Sequence, residues 1–236
     1  MFETILTSVL SILPPILLLV YVYHKDRINK EPTKLLLLLF VLGCLSAIPV
    51  YFIETYLELV LYGSIYNYTL YNLLDAFVCA AFVEELFKFL ITKNVIWNHE
   101  AFDSTFDGMV YCAFVSMGFA TVENVLYAIR YGLSAVLSRA ISSIPGHFSF
   151  AIVMGIFMSR SKFSYRRQET EKVQYLDSRN SLIYALLVPI LYHGLYDFCV
   201  MQGSPVLLLI FNGIVLSLYY VILKVVNKES KKDQLF

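Results

Sequence analysis

The sequence predicts an all-α protein folded as a polytopic transmembrane bundle of about seven helices. Three observations carry that expectation. Of the 236 residues, 58% are hydrophobic and only 15% charged, with a mean hydropathy of +0.68, whereas about a quarter of an ordinary soluble domain is charged. Apolar runs of about 20 residues, the length that crosses a hydrocarbon layer, recur at 4–23, 35–54, 72–92, 106–130, 135–158, 181–201 and 204–226. Finally, the basic residues alternate in step with those runs, which a soluble helical protein has no reason to do.

The first run lacks a basic leader and an A-x-A-like cleavage site, so it reads as a retained span rather than a removed signal peptide. Its Pro14-Pro15 pair strands backbone carbonyls and predicts a kink. Lys25, Arg27, Lys30 and Lys34 follow it. After the second run, the stretch 55–71 reads as an outer loop; Tyr56, Tyr62, Tyr66, Tyr68 and Tyr71 suit a headgroup boundary there. The loop from Arg160 to Asn180 is the one sizeable polar segment and carries Arg160, Lys162, Arg166, Arg167, Lys172 and Arg179. The last two runs meet at a Gln202-Gly203-Ser204-Pro205 turn. With Lys93 and the tail lysines 224, 228, 231 and 232, fifteen of the eighteen basic residues fall on one side. Only Arg130 and Arg139 fall on the other, so the positive-inside rule predicts an outer N-terminus and a cytoplasmic C-terminus. A single membrane-embedded domain, 1–236, is expected, with its motif-bearing core at about 72–201. Zero net charge gives no reason to expect nucleic acid as a partner. Cys44, Cys79, Cys112 and Cys199 show no C-x-x-C spacing and read as packing residues.

Against this apolar background the ionisable residues stand out. Glu84, Glu85 and Lys88 lie inside the third run, and each costs roughly 2.5–3.5 kcal/mol at mid-membrane. Glu123 and Asn124 lie in the fourth run, His147 in the fifth, and His193 with Asp197 in the sixth. Helical spacing puts Lys88 under Glu84, Asp197 under His193 and Phe119 beside Glu123. At ~1.5 Å per residue, Glu84 and His147 lie roughly 18 Å from the outer boundary, His193 about 12 Å, Glu123 about 10 Å and Asp197 about 6 Å. Four helices therefore converge on one buried site beneath the outer face. Adjacent carboxylates in a dry site resist double ionisation, and a nearby ammonium keeps one charged. One glutamate then activates water as a general base, while the imidazoles act as acid, base or oxyanion donor. Such parts suit amide hydrolysis. Proton- or cation-coupled transport is the alternative that buried acids leave open. No H-E-x-x-H occurs, and His193 with Asp197 supplies only two ligands, so no metal and no cofactor is expected.

The ordered set Glu84-Glu85-x-x-Lys88, Phe119-x-x-x-Glu123-Asn124, His147 and His193-x-x-x-Asp197 resembles the motifs of the PrsW family of intramembrane endopeptidases. Pro14-Pro15, the Asp26-Arg27 to Glu31-Pro32 segment and Phe106-Asp107-Gly108 add to the resemblance, which runs from about residue 14 to 200. It implies a glutamate-dependent membrane protease of the same superfamily as the CAAX prenyl endopeptidases, residing in a bacterial plasma membrane. The implied substrate is a single-pass membrane protein of the anti-sigma factor type, cut on its outer side. Glu84 is then the water-activating base, Glu85 and His193 its support, with Lys88, Glu123, His147 and Asp197 completing the catalytic set and Phe119 and Asn124 supporting. Glu123 departs from the prenyl endopeptidases, which carry a histidine there.

Overall fold

A computed structural model describes residues 2–164, 171–233 and 235, with side chains from residue 6 onward except 171–176. The chain is helical almost throughout. Its elements are α1 (Phe2–Lys25), α2 (Thr33–Ser64), α3 (Tyr68–Leu74), a π-helical segment (Asp75–Phe82), α4 (Val83–Ile96), α5 (Asp107–Ile141), α6 (Ser143–Lys162), α7 (Glu171–Gln202), α8 (Pro205–Tyr220), a second π-helical segment (Val221–Val225) and α9 (Val226–Lys232). Among the described residues the only extended pairing is one bridge between Ser104 and Leu235.

Among the described residues, five stretches are long and apolar enough to cross a membrane: Leu6–Lys25, Thr33–Ser64, Asp107–Lys162, Asp177–Gln202 and Pro205–Lys232. The third of these, at 56 residues, would span about 84 Å if straight. It doubles back instead. Gly132 has a φ of +74° inside α5, a left-handed conformation that a residue with a Cβ resists. The facing pairs Gly108/Gly155, Ser116/His147 and Asn124/Arg139 all centre on the junction between 131 and 132. The sequence expectation of separate runs at 106–130 and 135–158 thus corresponds to two limbs of one helical hairpin.

The first limb of α5 is the buried axis of the molecule; α1, α2 and α6 pack around it. Two glycine contacts bring the backbones together. A Cβ on Gly118 would lie 2.1 Å from the Phe40 carbonyl oxygen, and one on Gly43 would lie 2.1 Å from the Val115 oxygen, so α2 and α5 touch through bare backbone. Gly108 and Gly155 do the same between α5 and α6, where an added Cβ would come within 2.7 and 2.4 Å of the opposing carbonyl. Between apolar helices in lipid, such small residues allow the close packing that holds them together.

One expectation changes. The stretch 55–71 is mostly helix: α2 continues to Ser64 and α3 begins at Tyr68, because Leu57, Leu59, Val60 and Leu61 contain no breaker. Asp107, in the Phe106-Asp107-Gly108 segment, is fully buried. Its carboxylate accepts the amides of Asp103 (2.9 Å) and Ser104 (2.6 Å), which organises the turn into α5. Arg166 and Arg167 lie outside the described residues, as does the side chain of Lys172.

Asp107 belongs to an acidic knot that ties three connections together. Asn29 donates to Asp103 (3.2 Å), the Phe106 amide donates to Asp233 (2.9 Å), and the Tyr111 hydroxyl donates to Ala101 O (2.9 Å) and to Glu31. Asp26 is 1% exposed, and neither of its carboxyl oxygens has a hydrogen-bond partner. Burial pushes the Asp26 carboxyl up to about 6 and that of Glu31 up to about 10.

Candidate active site

The site begins where the π-helical segment passes into α4. Glu84, Glu85 and Lys88 follow within one turn, so the lysine stem folds back along the helix to both acids. Lys88 Nζ lies 2.8 Å from Glu84 Oε2 and 2.8 Å from Glu85 Oε1. It is also 3.2 Å from His147 Nδ1 and 4.4 Å from the centre of the Phe119 ring. All three charged residues are buried. The repayment for burying them comes from the neighbouring helices.

From α6, His147 bridges two acids. Its Nδ1 faces Lys88 and lies 3.9 Å from Glu84 Oε2, while its Nε2 is 2.9 Å from Glu123 Oε2. Its position is held by Ser116, which donates to the His147 carbonyl at 2.9 Å. From α7, His193 Nδ1 is 3.0 Å from Glu85 Oε1 and its Nε2 is 3.2 Å from Asp197 Oδ2. Phe150 stacks on the His193 ring at 5.1 Å and 24°. The two imidazoles meet edge to face at 5.3 Å. Close approach of α7 to the π-helical segment depends on Gly194, where a Cβ would lie 2.5 Å from the Phe77 ring.

Every sequence-predicted site residue except Asn124 therefore lies in or against one hydrogen-bonded chain: Asp197, His193, Glu85, Lys88, Glu84, His147 and Glu123, with Phe119 packed against Lys88 and His147. Asn124 points away from it, toward α1. Its Nδ2 donates to the Ser11 carbonyl at 2.9 Å. That carbonyl is the one Pro15 leaves without an intrahelical donor, so the proline in α1 and the asparagine in α5 answer each other. Asn124 Oδ1 in turn accepts from Arg139 Nε at 3.0 Å, and the Arg139 guanidinium pairs with Glu123 at 2.7 Å.

Arg139 and Glu54 are the two residues that sequence reasoning missed. Arg139 read as one of two basic residues on the outer side, and only the reversal at Gly132 brings it back against Glu123. Glu54 closes the run 35–54 and was not singled out. It lies on the same face of α2 as Val50 and Leu57, which pack with Val83, Phe87, Phe119 and Val122, and its Oε1 is buried without a hydrogen-bond partner. The i, i+4, i+7 spacing of Val50, Glu54 and Leu57 was the available signal.

One donor atom each from Glu84, Glu85, His147 and His193 lies within 4.8 Å of all the others. The sequence suggested only two ligands because spacing along one helix reveals only ligands on that helix; these four come from three. Two carboxylates and two imidazoles are donor types that zinc and other divalent ions accept. The donor set fits such an ion once the Lys88 ammonium, now bonded to three of the four groups, is moved aside.

The family described as "PrsW family intramembrane metalloprotease" matches residues 31–226. Protease PrsW of Oceanobacillus iheyensis is 34% identical over 220 residues, covering 92% of this chain and 93% of that protein. Protease PrsW of Bacillus subtilis is 35% identical over 188 residues, 80% of this chain and 79% of that protein, and that of Geobacillus kaustophilus is 32% identical over 187 residues. No solved structure matches the chain. With a family match across most of its length and such relatives over nearly all of it, the chain belongs to the PrsW family and is an intramembrane protease of a bacterial membrane.

Proposed function

We propose that the protein hydrolyses a peptide bond in a single-pass membrane protein of the anti-sigma factor type, on the outer side, with a water activated by Glu84. The meeting of Glu84, Glu85, His147 and His193 around Lys88 is the observation that carries this reading. Glu85 Oε1 is gripped by both Lys88 and His193, whereas Glu84 keeps 7% of its side chain exposed against 1% for Glu85. The gripped carboxylate orients and the more accessible one takes the proton from water. The hydroxide so formed attacks the scissile carbonyl carbon, the C–N bond breaks, and the proton on Glu84 passes to the leaving amine. Lys88 supplies positive charge beside the developing oxyanion, in a dry site where it acts strongly. His193, held between Glu85 and Asp197, fixes the orienting acid; His147, held by Glu123, fixes the other side of Lys88. Only with Lys88 moved aside would Glu84, Glu85, His147 and His193 hold a divalent ion, which would then supply Lewis acidity and a lowered pKa for bound water.

A single membrane domain with seven crossings accommodates this chemistry. Alongside the apolar stretches, the helical run from Tyr68 to Ile96 and the two limbs of the α5–α6 hairpin complete seven rods, and the basic residues favour an outer N-terminus. The decisive experiment compares the membrane proteome of cells making wild-type protein with that of cells making Glu84→Gln, Glu85→Gln or His193→Ala. One truncated single-pass protein present only with the wild type is expected; the same truncation in all three variants rejects the mechanism.

A further inference from the structure

Four donor groups that suit a divalent ion converge in the membrane interior, yet the space among them holds a charge the chain brings itself. Lys88 Nζ bonds Glu84 Oε2 at 2.8 Å, Glu85 Oε1 at 2.8 Å and His147 Nδ1 at 3.2 Å, and the fourth donor, His193, is bonded to Glu85 rather than left free. The stem is as firmly placed as the head: Lys88 is 1% exposed and its ammonium lies over Phe119. We infer that Lys88 is the resident cation of this site and holds it against divalent metal ions.

One physical argument supports this. A metal shared by Glu84 Oε2, Glu85 Oε1 and His147 Nδ1 needs donor distances near 2.0–2.2 Å, and it would take the place from which the ammonium now bonds those same three atoms. Lysine and metal therefore compete for one place, and removing the lysine converts a self-filled site into a vacant one. This holds whether or not the chain cleaves any given membrane protein, because occupancy of the site is measured without substrate.

The test uses the full-length chain purified in detergent without chelator, with Zn²⁺ as the probe. Metal content is measured by mass spectrometry and affinity by isothermal titration for the wild type, Lys88→Met, Lys88→Gln and the double variant Lys88→Met/His193→Ala; circular dichroism and size exclusion confirm folding. The wild type is expected to purify without stoichiometric zinc. Lys88→Met and Lys88→Gln are expected to bind one Zn²⁺ per chain on the order of 100-fold more tightly than the wild type, and the double variant to lose that gain. A wild type carrying one tightly held zinc overturns the inference, as do folded lysine variants that bind no more tightly than wild type. If neither lysine variant folds, the wild-type zinc content decides by itself.

Discussion

Replacing Arg139 with alanine tests whether the reversed limb of α5 supports the site through charge. The guanidinium makes a 2.7 Å ion pair with Glu123, donates from Nε to Asn124 Oδ1 at 3.0 Å and lies 4.0 Å from the Tyr127 ring centre. Deleting one member of a buried ion pair costs roughly 3–5 kcal/mol, chiefly because the survivor remains charged and unpaired. Glu123 keeps 21% of its side chain exposed and retains His147, which puts the expected loss at the lower end, about 3 kcal/mol. For a chain of this size that lowers Tm by roughly 6–12 °C. Thermal unfolding in detergent should be followed for the wild type, Arg139→Ala, Glu123→Gln and the double variant. Removing the stranded charge should restore part of the loss, leaving the double variant more stable than Arg139→Ala by about 1 kcal/mol or more. An Arg139→Ala protein melting within about 2 °C of wild type, or a double variant no more stable than that single one, would refute the reasoning.

Asn124→Ala should cost about 1–3 kcal/mol by orphaning the Ser11 carbonyl, and Pro15→Ala in the same chain should recover part of that loss by restoring an intrahelical N–H; equal melting of Asn124→Ala and the double variant would count against the pairing. Gly118→Ala should destabilise by about 1–3 kcal/mol or more, since the new methyl meets the Phe40 carbonyl oxygen, whereas Gly213→Ala, with nothing within 4 Å, should be neutral in the same melts. At the acidic knot the folded Asp26 carboxyl holds its proton more tightly than in the unfolded chain, so its stabilising contribution is full below about pH 4 and lost as pH rises through about 6. Asp26→Asn should therefore melt close to wild type at pH 4.5 and gain on the order of 2 kcal/mol over it by pH 8; a difference that does not change between those two pH values would disprove the assignment.

The main lines of the site were legible in the sequence because charge is so costly in an apolar run. Glu84, Glu85 and Lys88 announced themselves by that cost and by their helical spacing, and His147 and His193 by their isolation. What spacing along one helix cannot reveal is which groups from different helices share a centre; the four-donor cluster and the place of Lys88 within it emerge only from packing. Arg139 was hidden for a related reason, since a single glycine, Gly132, reverses the chain and turns a basic residue counted on the outer side into a partner of Glu123. Asn124 was legible as a site residue but not its direction, because the carbonyl it serves lies more than a hundred residues earlier. Hydropathy ended the second run near residue 54, whereas α2 continues to Ser64: charge at Glu54 and Glu58 lowers hydropathy without breaking a helix.

The pairing of Pro15 with Asn124 gives a flaw in one helix the role of a locating pin for another. Greasy surfaces let two rods slide and turn with little penalty, but a bare carbonyl set in a helix takes a donor only within hydrogen-bonding reach and over a limited range of angles. By engaging that oxygen, α5 fixes its angle about its own axis, and with it the heading of Glu123 one residue before. The N-terminal helix thus sets the aim of the helix that carries Glu123.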